Sequence, residues 1–439
     1  MQPYSPERRT ALVLCGTGAH GAYQAGVLRA LQEAGVKIDV MAGQGVGAGA
    51  AALAAIDGAS RLFDADGLWR RAAARSLYGW KWPLRVAGWL CLLLVATLAV
   101  PALLLLLRLP SVPDIVLPVA MGVAALTLLV LVVGAMTVRR TSQANRRAKG
   151  AWWWRLLGAP LDAAGARDGV ADAMWQLIRG AAHAARPDLT GVGRRYAEVL
   201  ADNIGQPGFC ELMIIATDLD GRRDVVGALL REPYRQEFVA PRPESERRSE
   251  AIDLADAGRE HTFDLIAAGL SPAVGCDPHM LTFGADSYWR GETHRLCDRP
   301  GAVSRLLEEL AAAGVSQVII VSAVAAPPPP HRLSVPGMDV RRRLGEFLAA
   351  AESAALRDAI EMARLRFDSV YLIRPVHNPV GAFDFAGAHD EASDRRQDLA
   401  ELIERAYEDA YRQFIDPVVG ASGDQLTHAG ADDSTRLSA

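Results

Sequence analysis

Two long stretches without charge set the first limit on this chain. Val86–Leu107 (VAGWLCLLLVATLAVPALLLLL) and Ile115–Val138 (IVLPVAMGVAALTLLVLVVGAMTV) hold no Asp, Glu, Lys or Arg, and each reaches the roughly 20 residues a helix needs to cross a bilayer. The link between them, Arg108 to Asp114, carries two prolines and can only turn back, so the pair is expected as a transmembrane helical hairpin over residues 83–138. Arg70, Arg71, Arg75, Lys81 and Arg85 precede it, Arg139, Arg140, Arg146, Arg147 and Lys149 follow it, and only Arg108 sits in the turn. By the positive-inside rule both flanks, and with them the folded part of the chain, are expected in the cytoplasm of a bacterium, on its inner membrane. Trp80, Trp82 and Trp89 before the first run and Trp152, Trp153 and Trp154 after the second suit the headgroup level. The competing account is a buried helical pair inside a soluble protein.

The rest of the composition excludes several classes. Half of the 439 residues are hydrophobic, too many for a disordered chain. The net charge of −4 and the scattered basic residues leave no nucleic-acid footprint. Five cysteines, Cys15, Cys91, Cys210, Cys276 and Cys297, are widely spaced and make no metal-ligand cluster, so no metal and no cofactor is expected. The opening MQPYSPERRTALVLC turns directly into a strand pattern without the features of a signal peptide.

Along the chain, strand patterns at Thr10–Cys15, Ile38–Ala42, Leu212–Thr217, Val318–Val324 and Ser369–Ile373 alternate with helical ones. The helical stretches are Tyr23–Ala34, 151–203, His261–Ala268, Val303–Ala313, Arg341–Arg366 and Asp394–Ile415. Met280–Tyr288 reads as irregular β structure, Pro327–Pro330 as a stiff connector, and the tail 421–439 as disordered. Such alternation argues an α/β fold with a mostly parallel sheet covered on both faces.

Two glycine-rich turns carry the chemistry. Gly16-Thr17-Gly18-Ala19-His20-Gly21 follows a strand and opens a helix, a position where backbone N–H groups favour an anion, either a phosphate or an oxyanion. Gly16, Gly18 and Gly21 also fit G-x-G-x-x-G, but Asp39 starts the second strand instead of ending it, as a ribose-binding acid should. Gly43-Gln44-Gly45-Val46-Gly47 has the frame of the G-x-S-x-G nucleophile elbow, with glycine where the serine should stand.

Taken together, ALVLCGTGAHGAYQAGVLRAL followed by IDVMAGQGVGAGAAALAA resembles the opening of patatin-like phospholipases. LMIIATDLDGR, AAGLSPAVGCDP, SYWRGETHRLCDRPGAVSRLLEELAAAGVSQVIIV and AYEDAYRQFI are similar to later segments of that family, so the likeness spans residues 8–82 and 195–416. It implies a patatin-like three-layer α/β fold in two parts, 1–82 and 139–420, interrupted by the hairpin. It also implies a Ser-Asp dyad, an elbow serine attacking an ester carbonyl while an aspartate serves as base and the glycine loop holds the oxyanion.

The departures fall on the reactive positions. The elbow residue is Gly45, and the family's Asp-Gly position is read at Arg290-Gly291. Glycine is no nucleophile, and arginine stays protonated. Thr17 and His20 also depart from the loop's usual residues. Cys15 and Ser271 are the candidates for a displaced nucleophile, His20 and Arg290 for ligand binding. Asp218, Asp286, His261, His279 and His294 read as turn or structural residues. The expected function is a membrane-anchored pseudoenzyme that binds a membrane lipid or an acyl or anionic ligand without cleaving it. The alternatives are an acyl hydrolase with a displaced nucleophile and a non-catalytic scaffold.

Overall fold

The computed structural model describes residues 4–106, 119, 121–130, 159–180, 185–243, 247–285, 287, 289–326, 340–376, 380, 384–387, 389–390, 395–396 and 398–420. Expectations on Arg108–Asp114, the basic and tryptophan-rich stretch 139–154, Asp286, Tyr288, Pro327–Pro330 and the tail lie outside the described residues. The described chain divides into two compact units, one of residues 1–78, 163–273 and 278–439 and one of residues 79–162 and 274–277.

The first unit is built on a nine-stranded sheet. Its strands are β1 (Thr10–Gly16), β2 (Val40–Gly45), β3 (Glu211–Asp218), β4 (Arg223–Leu229), β5 (Ser249–Asp253), β6 (His279–Thr282), β7 (Thr293–Cys297), β8 (Gln317–Ser322) and β9 (Ser369–Ile373). They run in the order β9-β8-β1-β2-β3-β4-β5, with the β6–β7 hairpin joined to the end of β3. From β9 to β3 every pairing is parallel, while β3 and β4 are antiparallel. The helices used below are α1 (His20–Glu33), α2 (Gly47–Ala54), α3 (Thr262–Gly269), α4 (Val303–Ala312), α5 (Val340–Arg366) and α6 (Leu399–Ala410).

The hydrophobic pattern explains the layering. Successive strand residues face opposite sides, and Ala11, Val13 and Cys15 of β1 enter a cluster with Leu306 and Leu310 of α4 and Leu356, Ala359 and Ala363 of α5. Leu12 and Leu14 face the other way and are equally buried, so the sheet is covered on both faces, as a continuous apolar strand demands. The five strands expected from the sequence are present. The antiparallel β4 and β5 were not anticipated: β4 is antiparallel to β3, and β5 is parallel to β4. RDVVGAL contains a glycine that seats the Leu265 and Leu254 side chains, and SEAID holds only two apolar residues among three polar ones.

One buried ion pair clamps the edge where β1 and β3 begin. Arg9 Nη1 and Nη2 donate to Glu211 Oε1 and Oε2 at 2.8 and 2.7 Å, Arg9 Nε donates to the Ala313 carbonyl at 3.2 Å, and the guanidinium lies 3.6 Å from the Tyr234 ring centroid. Both charges are nearly out of water, and the more exposed Arg231 also reaches Glu211, its Nε 3.1 Å from Oε1, so removing Arg9 leaves Glu211 with a weaker, partly solvated partner.

The second unit contains the helix Trp82–Leu106 and a helical stretch at 121–130. Its two ends meet, since Gly79–Trp80 pairs antiparallel with Leu161–Asp162. Large apolar side chains on it are open, among them Trp89 at 72 % exposure and Leu128 at 64 %. Among the described residues no helix is long and apolar enough to cross a membrane. The two spanning helices expected over residues 86–138 are therefore not found there as a complete pair.

From the Arg9–Glu211 clamp, Arg9→Ala is expected to lower the unfolding free energy by about 1.5–3 kcal/mol, the scale of a hydrogen bond to a charged group, since Arg231 still pairs with Glu211. A denaturant titration of the purified full chain followed by tryptophan fluorescence measures it, and a loss below ~1 kcal/mol would mean that water reaches Glu211.

Candidate functional site

The sharp turn from β2 into α2 keeps the backbone of a nucleophile elbow. Gly45 ends β2 in the left-handed region at φ +65°, the strained conformation that lifts an elbow side chain off the sheet. The flanking glycines are steric necessities, because a Cβ on Gly43 would stand 2.3 Å from the Gly47 carbonyl oxygen and one on Gly47 2.1 Å from that of Leu14. A Cβ on Gly45 would stand 2.1 Å from the Gly16 carbonyl oxygen and 2.8 Å from Asp298 Oδ2. The place of a serine is thus filled by backbone oxygen, which the Val46 amide holds by donating to it at 2.8 Å.

The glycine loop differs from the anion cradle expected of it. The Thr17 amide donates to His20 Nδ1 at 3.2 Å, and the His20 and Gly21 amides donate to the Thr17 and Gly18 carbonyls. Phe385 lies over the loop, its Cα only 2.8 Å from where a Gly18 Cβ would be. Three of the loop's amides are thus engaged within it, and the carbonyl of Gly16 points at the elbow. A carbonyl dipole repels an oxyanion.

The expected base position also moves. Arg290 lies exposed in the turn before β7, at φ +42°, with its amide on the Ser287 carbonyl. It is absent from the residues around the elbow, where the acid that faces Gly45 is Asp298, directly after β7. A carboxyl, and no hydroxyl, therefore faces the position an elbow side chain would take. Sequence reading missed Asp298 by aligning the acid on Arg290-Gly291, a turn, instead of on the strand end that precedes α4. An aspartate closing a strand and followed by Pro300-Gly301 and a helix was the available signal.

Asp298 is 2 % exposed. Its amide donates to the Ser271 carbonyl at 3.0 Å, its Oδ1 accepts from Gln44 Nε2, and its Oδ2 is buried without a hydrogen-bond partner. Burial pushes its carboxyl up to about 8, the hydrogen bond from Gln44 opposes this, and the nearby Glu352 charge adds to the rise. Glu352, on α5, is likewise pushed up to about 7 by burial. Asp298, Glu352, Asp384, His20, Thr17 and Phe385 help line one cavity of about 60 Å³, room for a few waters or a small polar group. Nothing in the sequence pattern distinguished Glu352 from the other acids of its long helix.

The remaining candidates resolve individually. Cys15 is buried and its thiol pKa is driven up by desolvation, with Glu352 and Asp298 adding to it, so no thiolate is available. Ser271 Oγ donates to the Ala267 carbonyl at 2.8 Å and is tied down as a helix-end residue. His20 lines the cavity, and burial lowers its pKa to about 4, so it is neutral. His294 Nδ1 bonds Asp218 Oδ2 at 2.6 Å, and His279 Nε2 bonds Asp264 Oδ1 at 2.8 Å, both structural pairs away from the elbow cavity. Among the described residues no group of three or more His, Cys, Asp or Glu could hold a metal ion.

A buried acid whose pKa lies above its unfolded value of 3.8 binds more protons folded than unfolded between the two values. Its contribution to stability is therefore present below pH ~4 and lost as pH rises toward about 8. Asp298→Asn removes that loss, so the variant is expected to match or exceed the wild type at pH 8 by about 1–3 kcal/mol, the scale of desolvating one polar group. Melting curves from pH 5 to 8.5 check this. Glu352 contributes its slope to both proteins, and parallel curves would show that Asp298 is solvated.

A family model described as patatin-like phospholipase matches residues 12–188. Among solved structures, VipD from Legionella pneumophila is similar at 14 % identity and a TM-score of 0.33, with 93 % of this chain and 67 % of that chain covered. No curated protein matches the sequence. The elbow and the loop that closes it both fall inside the matched span, so residues 12–188 carry a patatin-like phospholipase domain.

Proposed function

We propose that this chain is a patatin-like protein that binds a ligand beside its elbow without hydrolysing it, and that residues 86–138 tether it to a membrane. The observation that carries the first part is the Gly16 carbonyl oxygen, 2.1 Å from the position a serine Cβ would take. Loss of the nucleophile alone ordinarily costs several orders of magnitude in rate. Here the Thr17, His20 and Gly21 amides are also engaged within the glycine loop, and the two displaced nucleophiles are a buried neutral thiol and a hydroxyl tied to its own helix.

The tether is supported by the uncharged runs and by the apolar side chains open along Trp82–Leu106 and 121–130. Exposed apolar surface of this extent on a folded chain marks a face that something else covers. The antiparallel pairing of Gly79–Trp80 with Leu161–Asp162 supports both ends lying on one side. On this reading the folded part is cytoplasmic at a bacterial inner membrane, as the basic flanks argue.

The purified protein is expected to leave fluorophosphonate probes unreacted and to turn over p-nitrophenyl esters no faster than buffer. Gly45→Ser is expected to stay inactive too, because its Cβ meets backbone that cannot move cheaply. Stoichiometric labelling of the wild type would end the non-hydrolytic reading. Reporter fusions at Asn145 and at the C-terminus are both expected to read cytoplasm, and a periplasmic signal from either overturns the topology.

A further inference from the structure

The second unit is held together at its base by three pieces of chain. Two are the ends of its own insertion, where Gly79–Trp80 pairs with Leu161–Asp162 and the Lys81 amide donates to the Pro160 carbonyl at 3.0 Å. The third, Val274–Asp277, comes from far along the sequence and yet belongs to this unit. The Leu161 amide donates to the Gly275 carbonyl at 2.9 Å, Leu161 and Cys276 form a parallel bridge, and Lys81 Nζ lies 2.6 Å from Asp277 Oδ2. Leu161 therefore has Trp80 on one side and Cys276 on the other. Within this fixed turn Gly275 and Cys276 are buried, whereas Val274 stands out at 59 % exposure.

Val274 is unfavourable in water in two ways. Its φ of +69° is left-handed, where a β-branched side chain crowds its own backbone, and its isopropyl group leaves the protein at the same place. A turn that only had to reverse the chain would carry glycine or asparagine there. Strain kept at a fixed turn, with an apolar group held outward by it, points to surroundings less polar than water.

The neighbouring helix identifies those surroundings. Along Trp82–Leu106 the open side chains Leu84, Val86, Trp89, Leu92, Leu93 and Val95 span an arc of about 200° at the helical turn of ~100° per residue. One protein partner laid along a helix covers a stripe nearer ~100° wide, so the wider arc suits acyl chains, which wrap a helix from every open side. At the start of this helix Trp80 and Trp82 are exposed on either side of Lys81, with Arg85 exposed one turn on, a set that suits the headgroup level.

We propose that the Val274–Asp277 turn is a second membrane contact of this chain, with the Val274 side chain lying at the boundary of headgroups and acyl chains in the same layer as Trp80 and Trp82. This rests on reading residues 86–138 as a tether, and it adds a contact that the uncharged runs do not contain. A hairpin alone leaves its base free to tilt against the bilayer. A further point of contact, bonded to Leu161, limits that tilt. Lys81 neutralises the one acid of the turn, so Asp277 does not repel an anionic lipid surface.

The depth of a fluorophore in liposomes of phosphatidylethanolamine and phosphatidylglycerol tests this on the full chain. Cys91 is the exposed cysteine among the described five, and a nitrobenzoxadiazole label on it reports on the tether. The same label is placed at position 274 in the double variant Cys91→Ser, Val274→Cys. Cysteine lacks the β-branch and fits the left-handed turn better than valine, so folding is not handicapped. The label at 274 is expected to be shielded severalfold from aqueous iodide relative to the free dye. It is also expected to be quenched more by a nitroxide near the headgroup end of the acyl chain than by one near the methyl end, the depth of an interfacial anchor. Free access of iodide to position 274 while the label on Cys91 stays shielded overturns the proposal and leaves the tether standing. Free access at both positions ends the tether and this contact with it.

Discussion

The hydrogen bond from the Val46 amide to the Gly16 carbonyl ties the end of β1 to the turn that follows β2. Parallel pairing brings Gly16 opposite Gly45, and glycine at both positions lets the backbones approach more closely than any side chain would allow. In an acyl hydrolase the same turn must leave space for a side chain and must aim donors at a developing negative charge. Here one carbonyl fills the space and offers the opposite dipole. The turn at Gly45 is thereby closed around backbone oxygen, and glycine at both positions is what permits it.

What closure leaves behind is an acid in an apolar setting. Two effects compete at Asp298: burial, which favours the neutral form, and the Gln44 amide, which favours the charged one. Burial wins, as the rise to about 8 shows, because one hydrogen bond satisfies only one of two oxygens. The second oxygen faces Gly45, which offers no side-chain donor, and stays buried without a hydrogen-bond partner.

The sequence carried the frame of this site better than its contents. β1, β2, β3, β8 and β9 announce themselves because both of their faces are apolar. The elbow is visible because three alternating glycines at a strand end suit little besides a sharp strand-to-helix turn with backbones in close approach. β4 and β5 were missed since a short strand with a glycine or alternating acids looks like loop. Asp298 was missed for a different reason. The local pattern offered Arg290-Gly291 for the family's Asp-Gly pair, and only the register of β7 against β3, through Thr217–Cys297 and Asp218–Leu296, brings Asp298 to the elbow instead. Glu352 meets His20 from a helix far along the chain, and no spacing rule links the two. Long-range meetings of single side chains are what a sequence pattern leaves unspecified.

The tether proposed for residues 86–138 bears on the ligand through concentration. An insertion of this length would ordinarily cost conformational freedom, but the cost of joining its ends grows only as the logarithm of loop length. The Gly79–Trp80 to Leu161–Asp162 pairing fixes both ends at one point of the second unit. Each large apolar side chain left in water along it forgoes about 1.5–3 kcal/mol of burial, so the sum over Trp89, Leu92, Val95, Leu126, Leu128 and their neighbours exceeds the stability of an ordinary domain. On the proposed tether a lipid environment would remove that penalty and hold the chain at a bilayer, where a ligand carried by the membrane stands at high effective concentration.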